Sequence, residues 1–165
     1  MTVNTAIKCY EPIGVSFYTT DTSPQFRVGT RAKGENGTTW MYVQAVSAVK
    51  QFDAVSLDEL YTQIASLTNA NAKKSYMVGW AQNAIAAASY GWVCINGSGI
   101  QGRVKAVLNH SVKVYCPATS SGSAGVLRAS ATGRYKIQGV VTVTTASGSA
   151  KSPELELSWP VILGG

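Results

Sequence analysis

Three glycines stand at a spacing that is suited to binding a nucleotide. Gly97, Gly99 and Gly102 fit the pattern G-x-G-x-x-G and follow an apolar run that is typical of a strand. In dinucleotide-binding proteins this pattern opens a helix whose N-terminus holds the pyrophosphate, and an acidic residue about 20 positions further on binds the ribose. Here neither Asp nor Glu occurs from Gly102 to Pro153, and the sequence shows no strand–helix–strand alternation around the motif. We therefore predict a loop between two β-strands, with a turn that starts at Asn96-Gly97, and no nucleotide cofactor.

The other residue types that carry catalysis are sparse. The single histidine, His110, has no cysteine or acidic residue beside it in the sequence. Glu154 and Glu156 would share one face of a strand, which we interpret as a solvated face rather than as a pair of catalytic carboxylates. The sequence contains no H-E-x-x-H, G-x-S-x-G or Walker motif. It therefore predicts a protein that is not an enzyme and that has no catalytic, cofactor-binding or metal-binding residues.

The cysteines also give no indication of a metal site. Cys9, Cys94 and Cys116 are an odd number of cysteines and form no C-x-x-C pair. Neither a disulfide framework nor a zinc site is therefore indicated. We interpret Cys94 and Cys116 as small buried apolar residues.

Charge is distributed unevenly along the chain. The net charge is +6, yet only 13% of the residues are charged, and no Asp or Glu occurs in the 94 residues between Glu59 and Glu154. A segment of this kind generates a positive potential that attracts a negatively charged partner. The low charge content, against about 25% in an average soluble domain, indicates that much of the surface faces other protein. The segment contains nine basic residues: Lys73, Lys74, Arg103, Lys105, Lys113, Arg128, Arg134, Lys136 and Lys151.

The elements that would position these residues are mainly strands. Sixteen glycines, eight tyrosines and four tryptophans indicate a β-rich chain with many turns. Residues 26–49 predict a hairpin, because alternating segments flank an Asn36-Gly37 turn. From Arg103 onward, short β-prone runs are separated by turns at spacings typical of sandwiches and barrels. The predicted fold is mainly β, a single-domain antiparallel β-sandwich or barrel with at most one or two short helices.

Two segments leave room for a helix. Ser56 and Glu59 match a capping box, and apolar residues follow at helical spacing, which predicts a short helix over about 57–67. The competing interpretation is a strand over 54–57 followed by a loop. Residues 76–88 are rich in Ala but contain a glycine and aromatic residues, so both helix and strand stay open there.

We divide the chain into an N-terminal arm or edge strand, residues 1–14, and a β-rich domain, residues 15–165. No run approaches the roughly 18 apolar residues of a membrane span, and the first residues lack the basic and apolar regions of a secretory signal. We therefore expect no membrane partner and synthesis in a cytoplasm. The four tryptophans are the candidate core anchors, since each can bury about 150–250 Å². They are Trp40, Trp80, Trp92 and Trp159.

Three stretches carry a resemblance to a known family. They are Thr38–Val43 after "VGTRAKGENG", the segment "AIAAASYGWVCINGSG" over Ala84–Gly99, and "TGRYKIQGVV" over Thr132–Val141. In these stretches the chain resembles the head decoration proteins, or capsid cement proteins, of tailed bacteriophages. The shared patterns are structural and contain no catalytic signature.

The resemblance implies a non-enzymatic virion structural protein that binds the outside of a phage capsid and stabilises it by bridging capsid subunits. Its partners would be the major capsid protein and further copies of itself in a homotrimer, with no small-molecule substrate, cofactor or nucleic acid. It would be made in the host cytoplasm and reside on the capsid exterior. The candidate residues for contact with the capsid or between copies are Lys73, Lys74, Arg103, Lys105, Lys113, Arg128, Arg134 and Lys136.

Two other classes of protein stay open. A β-sandwich carbohydrate-binding module would show exposed tryptophans around a groove. A basic nucleic-acid-binding β-barrel would stack bases on aromatic side chains. The aromatic candidates for such stacking are Tyr76, Trp80, Tyr90, Trp92, Tyr115 and Tyr135.

Overall fold

The residues that the structure describes, in a computed structural model, are 14–72, 77–105, 114–115, 124–128, 135–143 and 153–163. Within them, twelve strands are joined in one hydrogen-bonded network, with one short helix and one 3₁₀ turn. The strands are β1 (Thr20–Asp21), β2 (Arg31–Lys33), β3 (Thr39–Ala45), β4 (Ala54–Leu57), β5 (Gln63–Ser66), β6 (Val78–Ala81), β7 (Tyr90–Gln101), β8 (Val104–Lys105), β9 (Val114–Tyr115), β10 (Leu127–Arg128), β11 (Lys136–Thr142) and β12 (Glu154–Leu163). The helix is α1 (Asn69–Ala72), and the 3₁₀ turn is Glu35–Gly37. The predicted mainly β fold with at most one or two short helices is confirmed.

Five of the strands close into a small barrel. β3 pairs with β5, β5 with β4, β4 with β6, β6 with β7, and β7 returns to β3. The β3–β5 pair is parallel and the other four pairs are antiparallel. Closing the ring satisfies the backbone groups that open sheet edges would leave unpaired.

The interior of this barrel is apolar because alternate residues of each strand point inward. Met41 and Val43 of β3 and Val93 and Ile95 of β7 lie in one buried cluster. The residues next to them in the chain, such as Tyr42 and Trp92, point out of the barrel into a second buried cluster. The period of two along a strand thus gives β3 and β7 two buried faces.

The outer face of the wall is covered by a second sheet, in the order β7-β12-β11-β9-β10-β8. The larger core lies between the two layers and combines residues such as Trp40, Trp80 and Trp92 of the barrel wall with Leu127, Ile137, Leu155 and other residues of the second sheet. The molecule is therefore a barrel with a sheet packed against it. The second sheet is antiparallel except for the parallel pair of β8 and β10.

The predicted hairpin over 26–49 is confirmed, with β2 and β3 as its strands. Asn36 and Gly37 have φ values of 55° and 70°, and the amide of Thr38 donates to the carbonyl of Glu35 at 3.1 Å. Two consecutive residues with positive φ form the turn whose twist matches that of the flanking strands.

The predicted helix over 57–67 is wrong. The competing strand over Ala54–Leu57 is present as β4, and a second strand, β5, follows the intervening turn. Asp58 accounts for the error, since its carboxylate accepts hydrogen bonds from the amides of Thr62 (2.6 Å) and Gln63 (2.9 Å) and so closes a turn instead of a helix. Ser56 is a strand residue, and its hydroxyl donates to the carbonyl of Ala65 at 3.3 Å.

The open segment 76–88 contains strand and turn in its described part. β6 occupies Val78–Ala81 and is buried along its whole length. The backbone of Ile85 then pairs with that of Val49 across an isolated bridge. Packing in the barrel wall thus prevails over the helical propensity of alanine. Residues 1–13 of the predicted arm and parts of the runs 104–108 and 112–116 lie outside the described residues.

Candidate functional site

The glycine motif is part of a strand rather than a loop, which corrects the prediction. Gly97 and Gly99 lie inside β7 and have φ values of 117° and 78°. β7 pairs with β3 up to Asn96 and with β12 from Gly97 onward, so the two glycines lie where the strand passes from the barrel to the second sheet. Gly102 is followed by strand β8, so no helix is present there to hold a phosphate. The glycines of the motif thus have a structural role, because they lie where β7 leaves the barrel and enters the second sheet.

Arg103 is the best-described member of the predicted contact set, and it has an internal partner. Its Nη1 donates to Oδ1 of Asp53 at 2.6 Å, while the Asp53 side chain is only 2% exposed. The other carboxylate oxygen accepts from the hydroxyl of Ser66 (3.0 Å) and the amide of Lys50 (3.2 Å). Arg103 therefore balances a buried charge in the fold, and we remove it from the candidate contact residues.

Three other predicted basic residues are brought together by the topology of the second sheet. Lys105 is in register with Arg128 across β8 and β10. Arg128 and Lys136 are both in register with Tyr115 of β9, which lies between them. Lys105, Arg128 and Lys136, here called the basic row, thus cross four adjacent strands in one line. The remaining candidates, Lys73, Lys74, Lys113 and Arg134, lie outside the described residues, as does His110.

The basic row continues into an exposed apolar strip on β12. Lys136 is in register with Leu163. Trp159, Val161 and Leu163, here called the ridge, are 41%, 37% and 36% exposed. Trp159 was predicted to be a core anchor and is not, whereas Trp40, Trp80 and Trp92 are buried.

The exposure of Trp159 follows from a bulge. The register between β11 and β12 shifts between Gln138 and Val140, and Trp159 adopts a φ of 46° on the partner strand. A bulge re-aims side chains at this point of a strand. The guanidinium carbon of Arg31 lies 5.7 Å from the ring centroid of Trp159, within the range of a cation–π contact.

A second apolar surface lies in the barrel, beside the β4–β5 turn. A groove of about 410 Å³ is lined by Val46, Ile64 and Leu60 together with the acidic residues Asp58 and Glu59, among others. Leu60 and Val46 are 78% and 62% exposed, respectively. These side chains, here called the groove, combine exposed apolar surface with negative charge.

A larger cavity, of about 640 Å³, lies between the β2–β3 turn and the segment that precedes β1. Phe17, Tyr18 and Trp40 line it together with polar residues such as Lys33 and Glu35. Phe17 stacks on Trp40 with centroids 4.8 Å apart, and Trp40 is only 3% exposed. The aromatic side chains here are therefore used mainly for packing with one another.

Reactive side chains in the described part of the chain are few. Cys94 is a free buried thiol, and burial raises its pKa to about 12. No group of three or more His, Cys, Asp or Glu side chains among the described residues could hold a metal ion. In the same residues, no helix has the length and apolar character needed to cross a bilayer.

Sequence reasoning missed the surfaces that the structure reveals. Leu60 lies within the predicted helix over 57–67, which is absent, and Val46 lies within the predicted hairpin over 26–49, so neither was predicted to form an exposed surface. Sequence reasoning did not single out Asp53. Its position directly before the apolar run Ala54-Val55 is the signal that could have found it, because a carboxylate buried there needs a partner.

Comparison with known proteins does not assign a function to this chain, so the fold and the surfaces described above are the basis for one. No family model matches this chain, and no curated protein matches it at a significant level.

Proposed function

We propose that this protein is a non-enzymatic virion structural protein that binds the outside of a phage capsid and stabilises it by bridging capsid subunits. The observation that carries the proposal is the basic row. Lys105, Arg128 and Lys136 are far apart in the sequence, yet they cross adjacent strands in one line within a segment that has no acidic residue. A row of basic residues in register favours an acidic protein surface as its partner.

The stretches that resemble decoration proteins support the same function, because they form central strands of the molecule. Thr38–Val43 overlaps β3 and Ala84–Gly99 includes most of β7, and these two strands pair in antiparallel register, with Tyr42 opposite Trp92. The third stretch includes most of β11, which carries Lys136. The resemblance therefore covers two paired strands of the barrel and the strand that carries Lys136 of the basic row.

Binding of this kind acts by mass action. A protein that binds the assembled shell and not its separated subunits lowers the free energy of the assembled state. Several weak contacts made by one oligomer add up to a strong attachment. The homotrimer is part of the proposal for this reason.

Co-sedimentation with phage heads assembled without this protein tests the proposal. We expect the protein to pellet with the heads at low salt and less so as the salt concentration rises, because exposed charge pairs are screened. The double variant Lys105→Glu/Lys136→Glu should bind several-fold more weakly. Arg27→Glu is a matched charge reversal at an exposed position outside the row and should bind as the unchanged protein does. Absence of binding at low salt would overturn the proposal, whereas binding that salt and the double variant leave unchanged would remove its electrostatic part.

No observation favours either alternative class. Trp40, Trp80 and Trp92 are buried, and the exposed Trp159 contacts the guanidinium of Arg31 and lines neither the groove nor the cavity described above. Among the aromatic residues considered for base stacking, Tyr90 and Tyr135 are packed against the core together with Trp80 and Trp92. These described side chains therefore do not form a stacking platform.

A further inference from the structure

We propose that the ridge of one copy of this protein docks into the groove of the next copy, in a head-to-tail contact. The inference rests on the proposed function, because it assigns the surfaces that build the homotrimer. Four of the most exposed apolar side chains, Val46 and Leu60 of the groove and Trp159 and Val161 of the ridge, lie in these two surfaces.

Both surfaces expose apolar side chains. The ridge follows β12, where Val161 and Leu163 point outward beside Trp159. The groove is an open space of about 410 Å³ with Ile64, a buried residue, in its lining. Apolar side chains that leave water for such a space are stabilised in proportion to the area they bury.

The charges of the two surfaces are opposite. Arg31 stands over the indole of Trp159, and Lys136 is in register with Leu163 at the end of the ridge. The groove carries Asp58 and Glu59 beside its apolar residues. The two acidic residues of β12, Glu154 and Glu156, lie at the other end of that strand. A second copy thus offers a cationic apolar strip to an anionic apolar groove, which also fixes the orientation of the contact.

The positions of the surfaces determine the symmetry. The ridge belongs to β12 in the second sheet, whereas the groove lies beside β4 and β5 in the barrel. When the ridge of one copy meets the groove of the next and its own groove meets a third copy, the contact is heterologous, and repetition closes a ring when the rotation permits. The homotrimer of the proposed function is one such ring.

The test is the oligomeric state of the purified protein, measured by sedimentation equilibrium. We expect a concentration-dependent oligomer that the charge reversals Arg31→Glu and Glu59→Lys each weaken by about tenfold or more. The double variant Arg31→Glu/Glu59→Lys should recover most of the association, since the reversed charges face each other again across the contact. Arg27→Glu and Glu35→Lys are matched controls at exposed positions outside both surfaces.

An apolar pair of variants provides an independent measurement. Leu60→Ser in the groove and Val161→Thr in the ridge should also raise the dissociation constant, for Leu60 by about ten- to a hundredfold. Melting curves of every variant verify that it is folded. If the charge variants do not fold, the apolar pair decides.

The outcomes separate the two proposals. A monomer at all accessible concentrations, a double variant without recovery, or an oligomer that no surface variant weakens would overturn the head-to-tail contact. Heads that bind the protein in any of these cases leave capsid binding standing, and a monomer would remove only the homotrimer from the proposed function. An oligomer that behaves as expected but does not bind heads would instead overturn the capsid function alone.

Discussion

Arg103 donates a 2.6 Å hydrogen bond from Nη1 to Oδ1 of Asp53, and this ion pair joins the barrel to the second sheet. The backbones meet at the same point. The amide of Arg103 donates to the carbonyl of Phe52 at 2.8 Å, and its carbonyl accepts from the amide of Leu127 in β10 at 2.9 Å. Arg103 is thereby held by both layers.

Removal of the Asp53 carboxylate should destabilise the protein. Asp53→Ala leaves the guanidinium of Arg103 and the hydroxyl of Ser66 without their acceptor, which costs about 3 kcal/mol, since Arg103 is partly exposed and keeps some hydration. Urea unfolding monitored by tryptophan fluorescence measures the loss. Glu35→Ala, at an exposed position, is the control and should change stability by less than about 0.5 kcal/mol. A loss no larger than that of the control would show that the ion pair is not structural.

The two glycines inside β7 should differ in their tolerance of alanine. A Cβ at Gly97 would lie 2.5 Å from the Cα of Thr38, whereas a Cβ at Gly99 would meet nothing within 4 Å. Gly99→Ala should therefore cost about 1 kcal/mol, because only the positive φ is unfavourable. Gly97→Ala adds a backbone collision and should cost more than twice as much, by the same unfolding measurement. Equal losses would contradict the close approach of β7 to Thr38.

The thiol of Cys94 should resist modification in the folded protein. It is fully buried, and burial raises its pKa to about 12, so the reactive thiolate is almost absent at pH 8. Mass spectrometry of peptides after brief treatment with iodoacetamide should find Cys94 unmodified in buffer and modified in urea. Rapid labelling of Cys94 in buffer would contradict its position in the core.

Stability should decrease at alkaline pH, partly because of Tyr42. Burial is the main cause that raises its pKa from 10.0 to about 12. Between these two values the folded state keeps the phenol proton that the unfolded state has released. Raising the pH therefore favours unfolding, by up to about 1.4 kcal/mol per pH unit for one group.

The variant Tyr42→Phe distinguishes the contribution of Tyr42 from that of Cys94. The buried thiol of Cys94 also lowers the stability as the pH rises above 9, because burial raises its pKa. At neutral pH the variant should lose about 1 kcal/mol, because the hydroxyl no longer donates to Oδ2 of Asp21, a bond of 2.7 Å. Its unfolding free energy should then fall less steeply from pH 10 to pH 11.5 than that of the unchanged protein. Parallel pH profiles would show that Tyr42 does not titrate within the folded state.

Sequence patterns predicted the parts of the fold that local chemistry determines. Asn36-Gly37 marked the hairpin turn because few other pairs adopt two positive φ values. Alternation along β3 and β7 indicated the two faces that the structure assigns to separate cores. Three of the four tryptophans are buried as expected.

The errors arose where distant residues decide the local structure. Ser56 and Glu59 match the sequence pattern of a helix start. The segment is nevertheless a strand, because β4 pairs with β5 and β6, which are distant or later in the chain. Trp159 is exposed because a bulge in the pairing with β11 turns it outward. Gly139, with a φ of 81°, and Pro160 lie at this bulge, but a Gly or Pro inside a strand does not indicate which side chain turns outward. The basic row depends on a strand order, β11-β9-β10-β8, that sequence spacing does not reveal.

The continuity of β7 has a mechanical consequence. Its twelve residues belong to the barrel at one end and to the second sheet at the other, without an intervening linker. A force that peels away either layer must travel along the same covalent backbone into its neighbour. The two cores should consequently resist tension and exchange their amide protons as one cooperative unit.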